Sequence, residues 1–306
     1  MTKEIIHELK PKLDPSDKDN EQPEVDAVSR KLFMDVAPSI VKINLDDGSG
    51  SGFAIDKDGD IATDAHVVLG SKHLTVVTSD GKSYNAKIKA LDDLNDLAII
   101  KIDGEVPKTL KPLELGDSKT LKPDDNVWGF GHPNGWDPMY VSPGYFRNTE
   151  SGQDVLNAEG QKTQDNAKKI LDKMTPKERE ESQAELKRPM FNALVNIQHG
   201  SSGGPIVDRA GKVVGIADLS NLDSDSDFTP VETLKALMNE KTPKFTFNYK
   251  TIDNKPTLTD ITRTTVGDYR PPFEDKLIVQ KDDKFVNPKP NSDGKTRDGY
   301  YNKLFL

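Results

Sequence analysis

Five runs decide the fold: Ser39-Ile40-Val41-Lys42-Ile43, Gly52-Phe53-Ala54-Ile55, His73-Leu74-Thr75-Val76-Val77-Thr78, Tyr84-Asn85-Ala86-Lys87-Ile88 and Leu97-Ala98-Ile99-Ile100-Lys101-Ile102. Each is short and rich in β-branched or aromatic residues, as a strand requires. Between them lie turn signals, Asp46-Asp47-Gly48, Asp58-Gly59 and Asp80-Gly81, where glycine supplies the positive φ of a tight hairpin. Strands at this spacing predict an all-β barrel or sandwich. Residues 116–122 read as a connector. A second β-rich block follows, with Asn126-Val127-Trp128-Gly129-Phe130, Tyr140-Val141-Ser142, Ala193-Leu194-Val195-Asn196-Ile197 and Lys212-Val213-Val214-Gly215-Ile216 as its clearest strands. The length of 306 residues accommodates two such units at a prior of roughly 150 residues per domain.

The second block is interrupted. Between about residues 152 and 188 the composition turns to Lys, Glu, Gln and Ala, which favours helix over strand. Thr175-Pro176-Lys177-Glu178 matches a capping box with proline at the first helical position. One or two surface helices are expected here, as a lid or a docking surface beside the β-core. Residues 1–31 read as a polar arm broken by Pro11, Pro15 and Pro23, with compact structure beginning near Leu32. At the other end Phe245-Thr246-Phe247-Asn248-Tyr249 has the period of a strand. The tail closes on Leu304-Phe305-Leu306, apolar residues expected to dock on their own domain.

Composition excludes several functions. The net charge of −9, with Lys and Asp interspersed, argues against nucleic acid and anionic membranes as partners. No apolar run approaches the roughly 18 residues of a membrane span. Cysteine is absent, so disulfides, thiolate nucleophiles and cysteine-bound zinc are out of reach. The opening Met-Thr-Lys-Glu-Ile-Ile-His is unlike a signal peptide, which leaves an intracellular chain and an expressed mature form as alternatives. Asp56-Lys57-Asp58-Gly59-Asp60 looks like a calcium loop, but Val67 stands where such a loop closes on glutamate, so a hairpin turn is predicted. Neither a metal nor a cofactor is expected.

Chemistry concentrates in three places. Gly200-Ser201-Ser202-Gly203-Gly204-Pro205 is a turn on which a serine Oγ can stand exposed. Its glycines let the main chain come close, so that the N–H groups of Gly200 and Ser202 can converge on an oxyanion. A serine hydroxyl needs a base, and imidazole suits that task near neutral pH. His66, in Thr63-Asp64-Ala65-His66-Val67-Val68, is the candidate. Asp96, at the entrance of the apolar run 97–102, can accept the Nδ1 proton and orient the ring. Asp92 and Asp93 are nearby rivals that read better as turn residues. His132 and His199 lie in motifs that could bring them toward the site.

Together these residues resemble the trypsin-like serine peptidases, and within them the HtrA/Deg branch. Gly50-Ser51-Gly52-Phe53, Thr63–Val68, Asp96–Lys101, Gly129-Phe130-Gly131-His132-Pro133-Asn134-Gly135 and Gly200–Pro205 follow one another in the family's order. The resemblance runs from about Val36 to Leu237. It implies two perpendicular six-stranded β-barrels, here 32–118 and 119–243, followed by an extension at 244–306. It implies a serine endopeptidase acting on polypeptides, with a homo-oligomer as one form of assembly, and a cell-envelope or secreted location if a leader has been removed, otherwise a cytoplasmic one. The pocket floor would be Asn196 and its wall the strand containing Ile216 and Asp218. An uncharged Asn196 points to a small or medium apolar side chain in the substrate. The sequence departs from the family at Ser201, usually Asn or Asp, at Asp64, usually Asn or Ala, and in the helical insertion. It also lacks a recognisable PDZ domain. A closed or inactive module that binds without turnover is therefore the alternative reading.

Overall fold

The structure, a computed structural model, describes residues 23–135, 139–151, 153, 154, 157, 161–220 and 225–263. The first block becomes β1 (Ile40–Asn44), β2 (Ser49–Ala54), β3 (Asp60–Asp64), β4 (Leu74–Val77), β5 (Ser83–Asp92) and β6 (Leu97–Ile102). These strands pair antiparallel in the order β1-β2-β3-β6-β5-β4, and pairing of β1 with β4 closes the barrel. The second block becomes β7 (Asn126–Gly131), β8 (Tyr140–Ser151), β9 (Pro189–Val195), β10 (Pro205–Val207), β11 (Val213–Ser220) and β12 (Asp225–Pro230), closed in the order β10-β11-β12-β9-β8-β7. Closure removes the unpaired edges that an open sheet would leave. The fold is the double six-stranded barrel expected of this sequence.

Period-two alternation explains why the apolar runs are so dense. In β6, Ala98, Ile100 and Ile102 fill the first barrel, while Leu97 and Ile99 face outward into a different apolar cluster. In β11 the alternation is offset by a register shift against β10, so that Val214 and Ala217 fill the second barrel while Val213 and Ile216 join that same outer cluster. The outer cluster also takes in Phe53, Ala62, Trp128, Phe130 and Val141, so it seals the two barrels to each other. Strands buried on both faces read as continuous hydrophobic runs.

Helices fasten the pair from outside. Helix α1 (Pro23–Val36) packs Leu32, Phe33 and Val36 into the outer cluster, and Ser29 Oγ accepts the indole N–H of Trp128 at 2.8 Å. Residues 23–31 are therefore helical, which corrects the polar arm read from composition. Ser29, Leu32, Phe33 and Val36 recur at helical spacing, and burial of that stripe outweighs the polar remainder. A short helix α2 (Ala65–Val68) follows β3. Between β8 and β9 stand α3 (Gln161–Lys173) and α4 (Pro176–Leu186), the latter starting at the predicted proline. Helix α5 (Val231–Met238) adds Val231, Leu234 and Leu237 to the outer cluster.

The predicted strand at Phe245 opens a hairpin, β13 (Phe245–Ile252) and β14 (Lys255–Arg263). Its turn residues Asp253 and Asn254 have φ of 50° and 60°, as a type I′ turn requires. Phe245 and Leu258 are buried in the core of the first barrel, and Leu258 N–H donates to Lys72 O. The Asp56–Asp60 segment is a hairpin turn, with Asp56 Oδ1 accepting the N–H groups of Asp58 and Asp60. The last three residues, expected to dock, lie outside the described residues.

Candidate active site

Strand register brings histidine and aspartate together. β3 pairs with β6 so that Asp64 lies opposite Leu97, with His66 just beyond one and Asp96 just before the other. The turn into β6 holds Asp96 in the left-handed region at φ 54°, a conformation aspartate tolerates better than most residues. Asp96 is fully buried, and it engages the histidine twice. Its Oδ1 accepts His66 N–H at 2.8 Å, and its Oδ2 lies 2.6 Å from His66 Nδ1. A third bond runs from Ala65 N–H to Asp96 O. A carboxylate accepting at Nδ1 assigns the ring proton to that nitrogen and leaves Nε2 as the acceptor. The imidazole keeps 28% side-chain exposure.

The serine turn is pinned against this end of the first barrel. Ser51 N–H donates to Ser202 O, Ser51 Oγ donates to Gly200 O at 2.6 Å, and His132 N–H donates to Ser51 Oγ. Thr63 Oγ1 in turn donates to Ser51 O. Gly203 has φ 82°, and a Cβ there would lie 2.2 Å from Thr63 Oγ1 and 2.9 Å from Asp64 N. Only glycine permits this approach of the two barrels. Within the turn Ser201 N–H bonds Gln198 O and Gly203 N–H bonds Ala217 O. The N–H groups of Gly200 and Ser202 donate to no protein group among the described residues, which leaves both available to a ligand.

Residues 50–216 match the trypsin-like peptidase domain, more than half of the chain. The chain belongs to the trypsin-like peptidase family. Among curated relatives, Serine protease HTRA1A of Danio rerio is 31% identical over 192 residues, covering 63% of this chain and 34% of the relative. The Probable periplasmic serine endoprotease DegP-like of Pseudomonas savastanoi is 33% identical over 167 residues, covering 55% of this chain and 28% of the relative. This trypsin-like chain thus spans about a third of the length of those relatives. The crystal structure of the Rv3671c protease, inactive form, shares the fold with a TM-score of 0.53 at 22% identity, over 69% of this chain and 93% of that one.

The other predicted residues are placed as follows. Asn196, on the segment leading to the serine turn, is half-buried and its N–H donates to Ser142 Oγ. Ile216 is fully buried in the cluster between the barrels. Asp218 is buried next to the histidine: a ring nitrogen of His66 and one oxygen each of Asp64, Asp96 and Asp218 lie within 4.8 Å of one another. Asp92, a rival of Asp96, accepts from Asn95 N–H and Nδ2, and Asp93 is buried. His199 is exposed, and His132 is buried beneath the turn through Ser51. Two residues at the site escaped sequence reasoning. Ser51 lay inside a quoted motif without a role, and Arg188, which pairs with Asp218 at 2.5 Å, stood in a stretch read as solvated helix.

Proposed function

We propose that this chain is a serine endopeptidase in which Ser202 is the nucleophile, His66 the general base and then acid, and Asp96 the group that orients His66. The two-point hold of Asp96 on His66, at 2.8 and 2.6 Å, carries this reading. Ser202 Oγ attacks the carbonyl carbon of the scissile bond while His66 Nε2 takes the hydroxyl proton. The negative oxygen of the tetrahedral intermediate is met by the N–H groups of Gly200 and Ser202. Collapse breaks the C–N bond, His66 returns the proton to the leaving amine, and an acyl ester on Ser202 remains. Water, deprotonated by His66, then hydrolyses the ester and frees the serine. Asp96 stays ionised throughout and stabilises the imidazolium. An uncharged Asn196 at the pocket floor supports preference for a small or medium apolar residue before the scissile bond.

The test is cleavage of a peptide library by the wild type and by Ser202→Ala. Cuts after small or medium apolar residues, absent from the variant, are expected. Equal cleavage by both proteins would overturn the assignment.

A further inference from the structure

Asp64, Asp96 and Asp218 surround His66, and their side chains have no solvent exposure. They come from three elements: Asp64 ends β3, Asp96 lies in the turn before β6, and Asp218 lies on β11 at its register break. Carboxylates around an imidazole favour its protonated form to the extent that they are ionised, because opposite charge within about 4–6 Å stabilises the charged state. Such a site would keep its base occupied near neutral pH. A counter-charge is present on Arg188, whose side chain is also fully buried and whose Nη2 donates to Asp218 Oδ2 at 2.5 Å.

Arg188 has little else to hold it. Its Nη2 touches Met190 Sδ at 3.2 Å, while Nε and Nη1 make no hydrogen bond among the described residues. A buried guanidinium with so few partners depends on its carboxylate, since removing one member of a buried pair strands the other charge. Its position in the chain is informative too. Arg188 stands between the end of α4 at Leu186 and the start of β9 at Pro189, at the root of the helical insertion.

We infer that Arg188 is a positioning residue for His66: paired with Asp218, it offsets one negative charge in the histidine's surroundings and keeps Nε2 unprotonated, able to act as a base. The inference rests on the reading of His66 as general base, and it makes the root of the insertion part of the site. An insertion that shifted would withdraw the guanidinium's positive charge from Asp218 and so favour a proton on His66. Among the described residues, the carboxylates clustered with His66 are those of Asp64, Asp96 and Asp218, with Arg188 paired to the last.

The test is an NMR titration of the His66 ring in the folded full chain, which reads the charge balance whether or not the chain cleaves peptides. Arg188→Met is expected to raise the His66 midpoint by about one pH unit or more, Asp218→Asn to lower it by a similar amount, and the double variant to restore it nearly to wild type. Where Arg188→Met does not fold, Asp218→Asn and the double variant carry the comparison, since their expected shifts have the same origin. The acid limb of kcat/KM should move with these midpoints. Midpoints unchanged in all folded variants would overturn the inference. Failure of the peptidase reading would show separately, as absent cleavage by a wild type whose His66 midpoint still responds to Arg188→Met.

Discussion

At Gly203 a single methyl group separates a working interface from a broken one. Alanine there would meet Thr63 Oγ1 and Ser51 O and would have to hold φ near 82°. Gly203→Ala should cost roughly 2–4 kcal/mol of stability, read by denaturant unfolding, because overpacking and an unfavourable φ add. Asp96→Asn is a cleaner perturbation, since it preserves shape. An amide can donate to Nδ1 and favour the wrong tautomer, so kcat should fall about ten-thousandfold with folding intact. Turnover near wild type would shift the role to another carboxylate. Residues of this kind were legible in sequence because their chemistry sits beside strand ends whose period is plain. Ser51 and Arg188 were not. Ser51 acts through hydrogen bonds to Gly200 and His132, partners far away in sequence. Arg188 looks like one more charge in a polar run, and its burial arises only when β9 closes the second barrel.

Helix α4 braces α3 and the turn that joins them, with Arg179 Nε donating to Leu171 O of α3 and Ser182 Oγ to Met174 Sδ of the turn. A self-braced insertion at a hairpin tip suits a docking role. Replacing residues 161–186 with a short Gly-Ser linker, with Arg188 kept, should spare cleavage of small peptides and reduce cleavage of a folded protein several-fold. Faster cleavage of small peptides would mark the insertion as a lid instead. The β13–β14 hairpin gives a prediction in pH. Burial pushes the Tyr249 hydroxyl up to about 12, against the opposing effect of the bond from Ile88 N–H. The folded chain therefore keeps its proton where the unfolded chain loses it, from an ordinary value of 10.0 upward. The associated stability is fully present below that value and is lost as pH rises toward 12, by about 2 kcal/mol. Thermal unfolding should weaken across this window in the wild type, and Tyr249→Phe should flatten the loss. The hairpin's first strand was legible from its period. Helix α1 was not, because four stripe positions in a polar segment are outweighed locally and acquire meaning only against Trp128 and its neighbours.

At the scale of the molecule, the described residues form two barrels sealed by one apolar cluster, and the proposed site sits where their backbones meet. The first barrel supplies His66 and Asp96 by register, and the second supplies the Ser202 turn, pinned through Ser51 and Gly203. The strands and the order of motifs could be read from the chain, because short β-type runs and glycine turns are local; they left barrel and sandwich open, and two closed barrels were implied only by the resemblance those motifs carry. The contacts between barrels could not be read so, since they pair residues as distant as Ser51 and Gly200. The central claim is that these separate pieces form one reactive serine. Mapping the adduct of a fluorophosphonate by peptide mass spectrometry tests it most directly. Ser202 is expected to be the single modified residue, with labelling slowed at least a hundredfold by His66→Ala. An adduct on another residue, or undiminished labelling of Ser202 without His66, would contradict it.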